Sequence, residues 1–225
     1  MSKLLQVQAL RKSFSEAGEE IRVLRGLDFE LEEGQRMAIV GESGVGKSTL
    51  LHILGTLDRP SSGQVIYRGR DLSTMDEETL SGIRNREIGF IFQFHYLLPD
   101  FTALENVMLP ALIRGWKRER ARQSAGRILE MVGLKERMSH RPGKLSGGEQ
   151  QRVAVARSIV LEPQVILADE PTGDLDPATG EEIQNLLFRL NEERRVAFVV
   201  ATHNRGFAAR VGCRMELKDG QLFPI

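Results

Sequence analysis

Gly41-Glu42-Ser43-Gly44-Val45-Gly46-Lys47-Ser48 constrains this chain more than any other stretch. It fits the spacing Gly-x-x-x-x-Gly-Lys-Ser, a loop that cradles phosphate. The apolar run Met37-Ala38-Ile39-Val40 precedes it and predicts a buried strand. The residues after it predict a helix from Lys47 to Leu57, broken by Pro60-Ser61-Ser62-Gly63. Strand, glycine loop and helix, in that order, is the context such a loop needs. The glycines let backbone N–H groups turn toward phosphate oxygens, and the helix start adds a dipole that favours anions. A glycine-rich turn before a helix is the plainer alternative. A chance match in a chain this long occurs roughly once in a hundred at ordinary residue frequencies. ATP held by Gly41 through Ser48 and Thr49 is therefore expected. Lys47 would reach the β- and γ-phosphates, and the Ser48 hydroxyl would ligate Mg²⁺.

Val165-Ile166-Leu167-Ala168 is a continuous apolar run, as in a parallel strand covered on both faces. Asp169 and Glu170 end it. Carboxylates at the carboxyl ends of parallel strands face the ligand crevice. Asp169 is expected to hold Mg²⁺ through water, and Glu170 to polarise the attacking water. The alternative is an ordinary acidic pair at a strand end.

A second glycine motif, Leu145-Ser146-Gly147-Gly148-Glu149, opens a predicted helix from Gln150 to about Val160. It suits a second anion site, yet one ATP does not need two γ-phosphate cradles. A two-fold, head-to-tail pair of chains resolves this. Ser146, Gly147, Gly148 and Glu149 would then contact the ATP held by the other copy's loop. A helix cap followed by flexible glycines is the alternative.

Elsewhere Leu5, Val7 and Ala9 alternate with polar residues, as do Phe29 and Leu31, and predict strands. Val65–Tyr67 and Ile88–Phe92 read the same way. From Leu104 to about Leu161 the spacing turns helical. A helix near Ala178–Asn191, a strand over 196–201 and a hairpin near 213–223 follow. Strands alternating with helices indicate an α/β sheet.

Lys and Arg total 31, as do Asp and Glu. That balance argues against nucleic acid as the main partner. The single cysteine, Cys213, permits no disulfide within the chain and suits a reducing cytoplasm. It is expected to be a small, half-buried residue. No apolar run approaches the ~20 residues that span a bilayer, and the N-terminus lacks a signal-peptide core. A soluble, cytoplasmic chain is expected, with any membrane association made through partners.

These motifs together resemble an ATP-binding-cassette (ABC) ATPase over essentially the whole chain. The resemblance implies an α/β fold: a P-loop NTPase (RecA-like) core, an N-terminal antiparallel β region, and a helical lobe inserted over about 96–160, all in one domain over 1–225. It implies further roles. Phe14 occupies the place of the aromatic that stacks on adenine, unless it is a packed core residue. Gln93, after Gly89-Phe90-Ile91-Phe92, matches the glutamine that reaches Mg²⁺ and links to the transport partner. Asp176 matches an aspartate at the dimer seam. His203 matches the switch histidine on the γ-phosphate and joins Glu170 as a catalytic group. His52 and His140 match no such position.

The stretch Phe92 to Val107 is similar to the branch of the family that releases lipoproteins. Leu167–Asp176 fits the wider group with macrolide exporters and cell-division ATPases. Phe92, Tyr96, Gln150 and Val45 depart from that branch's usual residues, and none of these changes removes a catalytic group. The implied function is a motor subunit on the cytoplasmic face of the inner membrane. A second copy and integral membrane subunits docking near Gln93–Leu98 would be its partners. Leu97 and Leu98 could instead be lobe core. A peptide or macrolide exporter, a signalling complex and a soluble non-transport ABC protein are the other readings. Arg114–Arg122 forms one basic cluster, either a solvated helix start or a contact for anionic lipid.

Overall fold

The computed structural model describes residues 2–16 and 18–225. Two long strands, β1 (Lys3–Glu16) and β2 (Glu19–Glu32), pair antiparallel. Leu5 and Val7 are buried as their alternation predicts, but Ala9 is exposed and Leu10 is buried instead. A register shift between Val7 and Leu10, with Ala9 at φ 45°, explains the change of face. The Asp28 carboxylate accepts the Ala9 N–H at 2.8 Å and holds this bulge.

β3 (Arg36–Val40) runs into the glycine loop and α1 (Lys47–Leu54). The helix is shorter than its predicted reach to Leu57, because Gly55 closes it and Thr56 turns to φ 60°. β4 (Ser62–Tyr67) and β5 (Arg70–Asp71) complete a four-stranded sheet in the order β2-β1-β4-β5.

α2 (Glu77–Glu87) was not predicted, since it buries only Leu80 and Ile83. Its ends were legible nonetheless. Asp76 caps it by accepting the Thr79 N–H, acids fill its first turn, and Arg84 and Arg86 its last. β6 (Ile88–Ile91) leads to the helical lobe: α3 (Ala103–Ile113), α4 (Arg118–Met131) and α5 (Gly147–Ile159). α5 starts three residues before its predicted beginning. Ser146 and Glu149 form a reciprocal capping box there, so both glycines lie inside the first turn.

β7 (Val165–Asp169), α6 (Pro177–Arg194), β8 (Ala197–Ala201), the short α7 (Arg205–Arg210), β9 (Cys213–Lys218) and β10 (Gln221–Pro224) finish the chain. The second sheet has the order β10-β9-β3-β8-β7-β6. All its neighbours are parallel except the β9–β10 hairpin.

Alternation along these strands divides the core in two. Met37, Ile39, Leu167 and Val199 pack with α1 and the four-stranded sheet. Ala38, Val40, Ile166, Ala168, Phe198 and Val200 pack with the helices on the opposite face. Apolar residues of the inserted helices, such as Val107, Ala121 and Val153, belong to this second cluster. The lobe is thus an extension of the sheet's helical layer. Among the described residues, no helix is long and apolar enough to cross a membrane.

Candidate active site

The phosphate loop leaves the carboxyl end of β3, beside the carboxyl ends of β7 and β8. This juxtaposition creates a cavity of about 450 Å³. Ser43, Gly44, Gly46, Lys47, Ser48, Thr49, Gln93, Asp169, Glu170 and His203 line it. Four separate stretches of sequence therefore converge. Gly46 sits at φ 110°, and a β-carbon there would lie 2.7 Å from Val23 Cγ1, so only glycine allows the loop this close to β2. Val45 packs into the core below, and the exposed Glu42 contributes its carbonyl. The buried Lys47 ammonium donates to the Gly41 and Glu42 carbonyls, each at 2.9 Å.

Asp169 is hydrogen-bonded by Ser48. Burial pushes its carboxyl above the ordinary aspartate value, and the Ser48 bond opposes that shift. Glu170 is held more completely. Its Oε2 accepts from the Thr202 hydroxyl at 3.0 Å, and its Oε1 accepts from the His203 N–H at 2.8 Å. The His203 Nδ1 lies 2.9 Å from the same Oε1, and the Lys47 ammonium 4.0 Å from it. Glu170 itself stands at φ 43°, a conformation that non-glycine residues seldom adopt.

Thr202 escaped the sequence reading although it is fully buried. The available signal was a hydroxyl residue between the apolar run ending at Ala201 and His203. Gln93 turns its Nε2 to Asp174 Oδ1 at 3.2 Å, which ties the loop after β6 to the loop after β7.

Three stretches of predicted residues stand outside the cavity: Phe14, Ser146–Glu149 and Asp176. Phe14 is exposed on β1, with the Lys12 ammonium 4.8 Å from its ring centre, so it is not a core residue. Ser146 and Gly147 are exposed at the start of α5 and are not part of the cavity wall. Gly148 packs against α6, where a β-carbon would collide with the Thr179 methyl. The Glu149 carboxylate is engaged by the Ser146 N–H and by Arg137 Nε, each at 2.8 Å. Those bonds, the Arg137 one foremost, hold it below the ordinary glutamate value. Asp176 caps α6 by accepting the Ala178 and Thr179 N–H groups.

Beside the cavity, Phe94, Tyr96 and Leu98 are exposed, whereas Leu97 packs against the core. Arg157 donates to the His95 and Tyr96 carbonyls at 2.6 and 2.7 Å and supports this stretch from α5. Cys213 is half-buried, as expected, and burial raises its thiol above the ordinary value.

A parallel sheet, a phosphate loop and carboxylates converging at its carboxyl edge define a P-loop nucleoside triphosphatase. The ABC transporter family description matches residues 24–173. The chain belongs to the ABC transporter family and is one of its ATPase cassettes.

Curated relatives align with nearly all of it. The lipoprotein-releasing system ATP-binding protein LolD of Syntrophus aciditrophicus is 51% identical over 219 residues, covering 97% of this chain and 98% of the relative. LolD of Geobacter metallireducens is 50% identical over 222 residues, covering 99% of each. Among solved structures, the dimeric bacterial ABC transporter cassette MJ0796 superposes with a TM-score of 0.91 at 41% identity, covering 97% of this chain and 96% of that one. Its post-hydrolysis form, bound to ADP and Pi, superposes equally well at 39% identity.

Proposed function

We propose that this chain is the motor subunit of a membrane transporter that releases lipoproteins from the inner membrane, with ATP bound between two head-to-tail copies. One observation supports the shared site best: the Ser146 helix start is exposed and lines no part of the cavity that its own chain builds. The Ser146 Oγ accepts the Glu149 N–H and keeps its own proton to donate. A second copy's γ-phosphate is the acceptor it fits. Gly147 and Gly148 add backbone at the same helix start, and Glu149 serves by fixing the cap. Asp176, exposed at the start of α6, faces the same seam. The lipoprotein assignment rests on the LolD relatives.

Within the cavity, Lys47 and the loop N–H groups of residues 43–49 bind the β- and γ-phosphates. Phe14 stacks on adenine. Glu170, anchored by Thr202 and the His203 N–H, accepts a proton from the attacking water, and the exposed His203 ring reaches the γ-phosphate. The donor set of Ser48, Gln93 and Asp169 fits Mg²⁺, which takes oxygen ligands and relies on few protein groups beside substrate phosphates. Bound there, Mg²⁺ would neutralise charge on the β- and γ-phosphate oxygens.

The exposed Phe94, Tyr96 and Leu98 offer an apolar seat for integral membrane subunits. Docking there would place the chain peripherally on the cytoplasmic face of the inner membrane. Because Gln93 also bonds Asp174, motion of that seat would be felt at the seam.

The test is Ser146→Arg. ATP binding should survive, while hydrolysis and ATP-dependent pairing are lost; lost binding would contradict the shared site. With membrane subunits reconstituted, lipoprotein should stimulate hydrolysis. Stimulation by a macrolide alone would move the chain to the exporter branch.

A further inference from the structure

One cluster of basic residues that the nucleotide site does not use lies at a corner of the lobe, around the turn from α3 to α4. Arg114, Lys117, Arg118, Arg120, Arg122 and Arg127 are all exposed, and Glu119 is the one acid between Ile113 and Arg127. In a chain of zero formal net charge this is a marked local excess. Among the described residues, its one ion pair is Arg118 with Glu105, at 3.9 Å. Gly115, at φ 85°, turns the chain between α3 and α4 and brings Arg114 and Lys117 to the same corner. Trp116 is anchored against the lobe core, with the Arg120 guanidinium 3.8 Å from its ring centre.

The corner also adjoins the proposed docking seat. Ile113, 75% exposed, precedes Arg114 directly. It lines a cavity of about 360 Å³ together with Phe92, Tyr96, Pro110 and Arg157. If that cavity takes an element of a bilayer-embedded subunit, the residues at its rim face the bilayer surface.

We infer that Arg114, Lys117, Arg118 and Arg120 form a headgroup-binding corner that contacts the phosphates of anionic phospholipids beside the docked membrane subunits. The orientation rests on the docking reading above; the chemistry does not. Arg114, Lys117 and Arg120 make no ion pair among the described residues, and Arg118 makes only the loose 3.9 Å one, so these exposed cations lose little when they meet lipid phosphates. Each basic group near an anionic leaflet strengthens attachment roughly fivefold, and the attraction decays over a Debye length of about 8 Å. Arg114 and Lys117, on the turn itself, would carry most of it.

The full chain should co-sediment with vesicles of phosphatidylcholine plus phosphatidylglycerol, not with phosphatidylcholine alone, and high salt should release it. Arg114→Gln, Lys117→Gln, Arg118→Gln and Arg120→Gln together should weaken this binding at least about tenfold with ATP hydrolysis unchanged. Removing as many charges at Arg11, Arg25, Arg189 and Arg214 should leave it intact. Equal binding to both vesicle types, binding to neither, or indifference to the lobe variant would overturn the proposal. A lobe variant that loses membrane subunits while the parent chain ignores anionic vesicles would assign the corner to an acidic protein segment instead. Tyr96→Asp separates the two readings: if membrane subunits still bind it, docking fails while the vesicle result stands.

Discussion

The Thr202 hydroxyl donates to Glu170 Oε2 at 3.0 Å and accepts the Asn204 N–H at the same distance. One buried side chain thereby fixes both the carboxylate proposed as base and the turn that carries His203. Thr202→Val keeps the shape and removes both bonds. The expected result is about a tenfold fall in kcat with little change in KM for ATP, since the pairing acts on orientation. Thr202→Ser should restore most of it. A rise in KM with unchanged kcat would assign Thr202 to nucleotide binding.

Glu170→Gln keeps the size of the side chain and removes the base. Hydrolysis should fall by about 10² to 10⁴, and ATP should hold two chains together in gel filtration. A variant turning over near the parent rate would remove Glu170 from the chemistry.

Phe14→Ala should weaken ATP binding by about 1–3 kcal/mol, or roughly fivefold to 150-fold. The ring is 42% exposed, so thermal stability should barely move. A large fall in melting temperature with unchanged affinity would mean that the ring serves packing.

Acid should loosen the lobe. The Arg137 bond and the Ser146 N–H hold Glu149 below the ordinary glutamate value, and the Thr102 N–H does the same for Glu105. Their folded forms bind fewer protons than the unfolded chain. The stability they contribute is therefore present above the ordinary value of about 4.3 and lost as pH falls through their lowered folded values. Urea midpoints taken down this range should fall less steeply in the Glu105→Gln, Glu149→Gln double variant. Parallel curves would show that these caps do not titrate with folding.

Much of this was legible in the sequence because local chemistry dictated it. The glycine loop, the apolar β7 run and the paired acids behind it each declare themselves within ten residues. α2 and α7 did not, because they bury few apolar residues and are set by single capping side chains, Asp76 and Asn204. Ala9 was misread for another reason. A bulge is a backbone event, and the Asp28 carboxylate that holds it lies 19 residues away. The pairings of Thr202 with Glu170 and of Gln93 with Asp174 join residues 32 and 81 positions apart, so they exist only once the sheet is assembled.

The exposed Ser146 has a genetic consequence. If every cavity borrows that hydroxyl from another molecule, a copy that has lost it spoils its partner's site and not its own. A cell making equal amounts of normal and Ser146→Ala chains would assemble only about a quarter of its pairs wholly intact. Such an allele would be dominant, and its harm would grow with its expression.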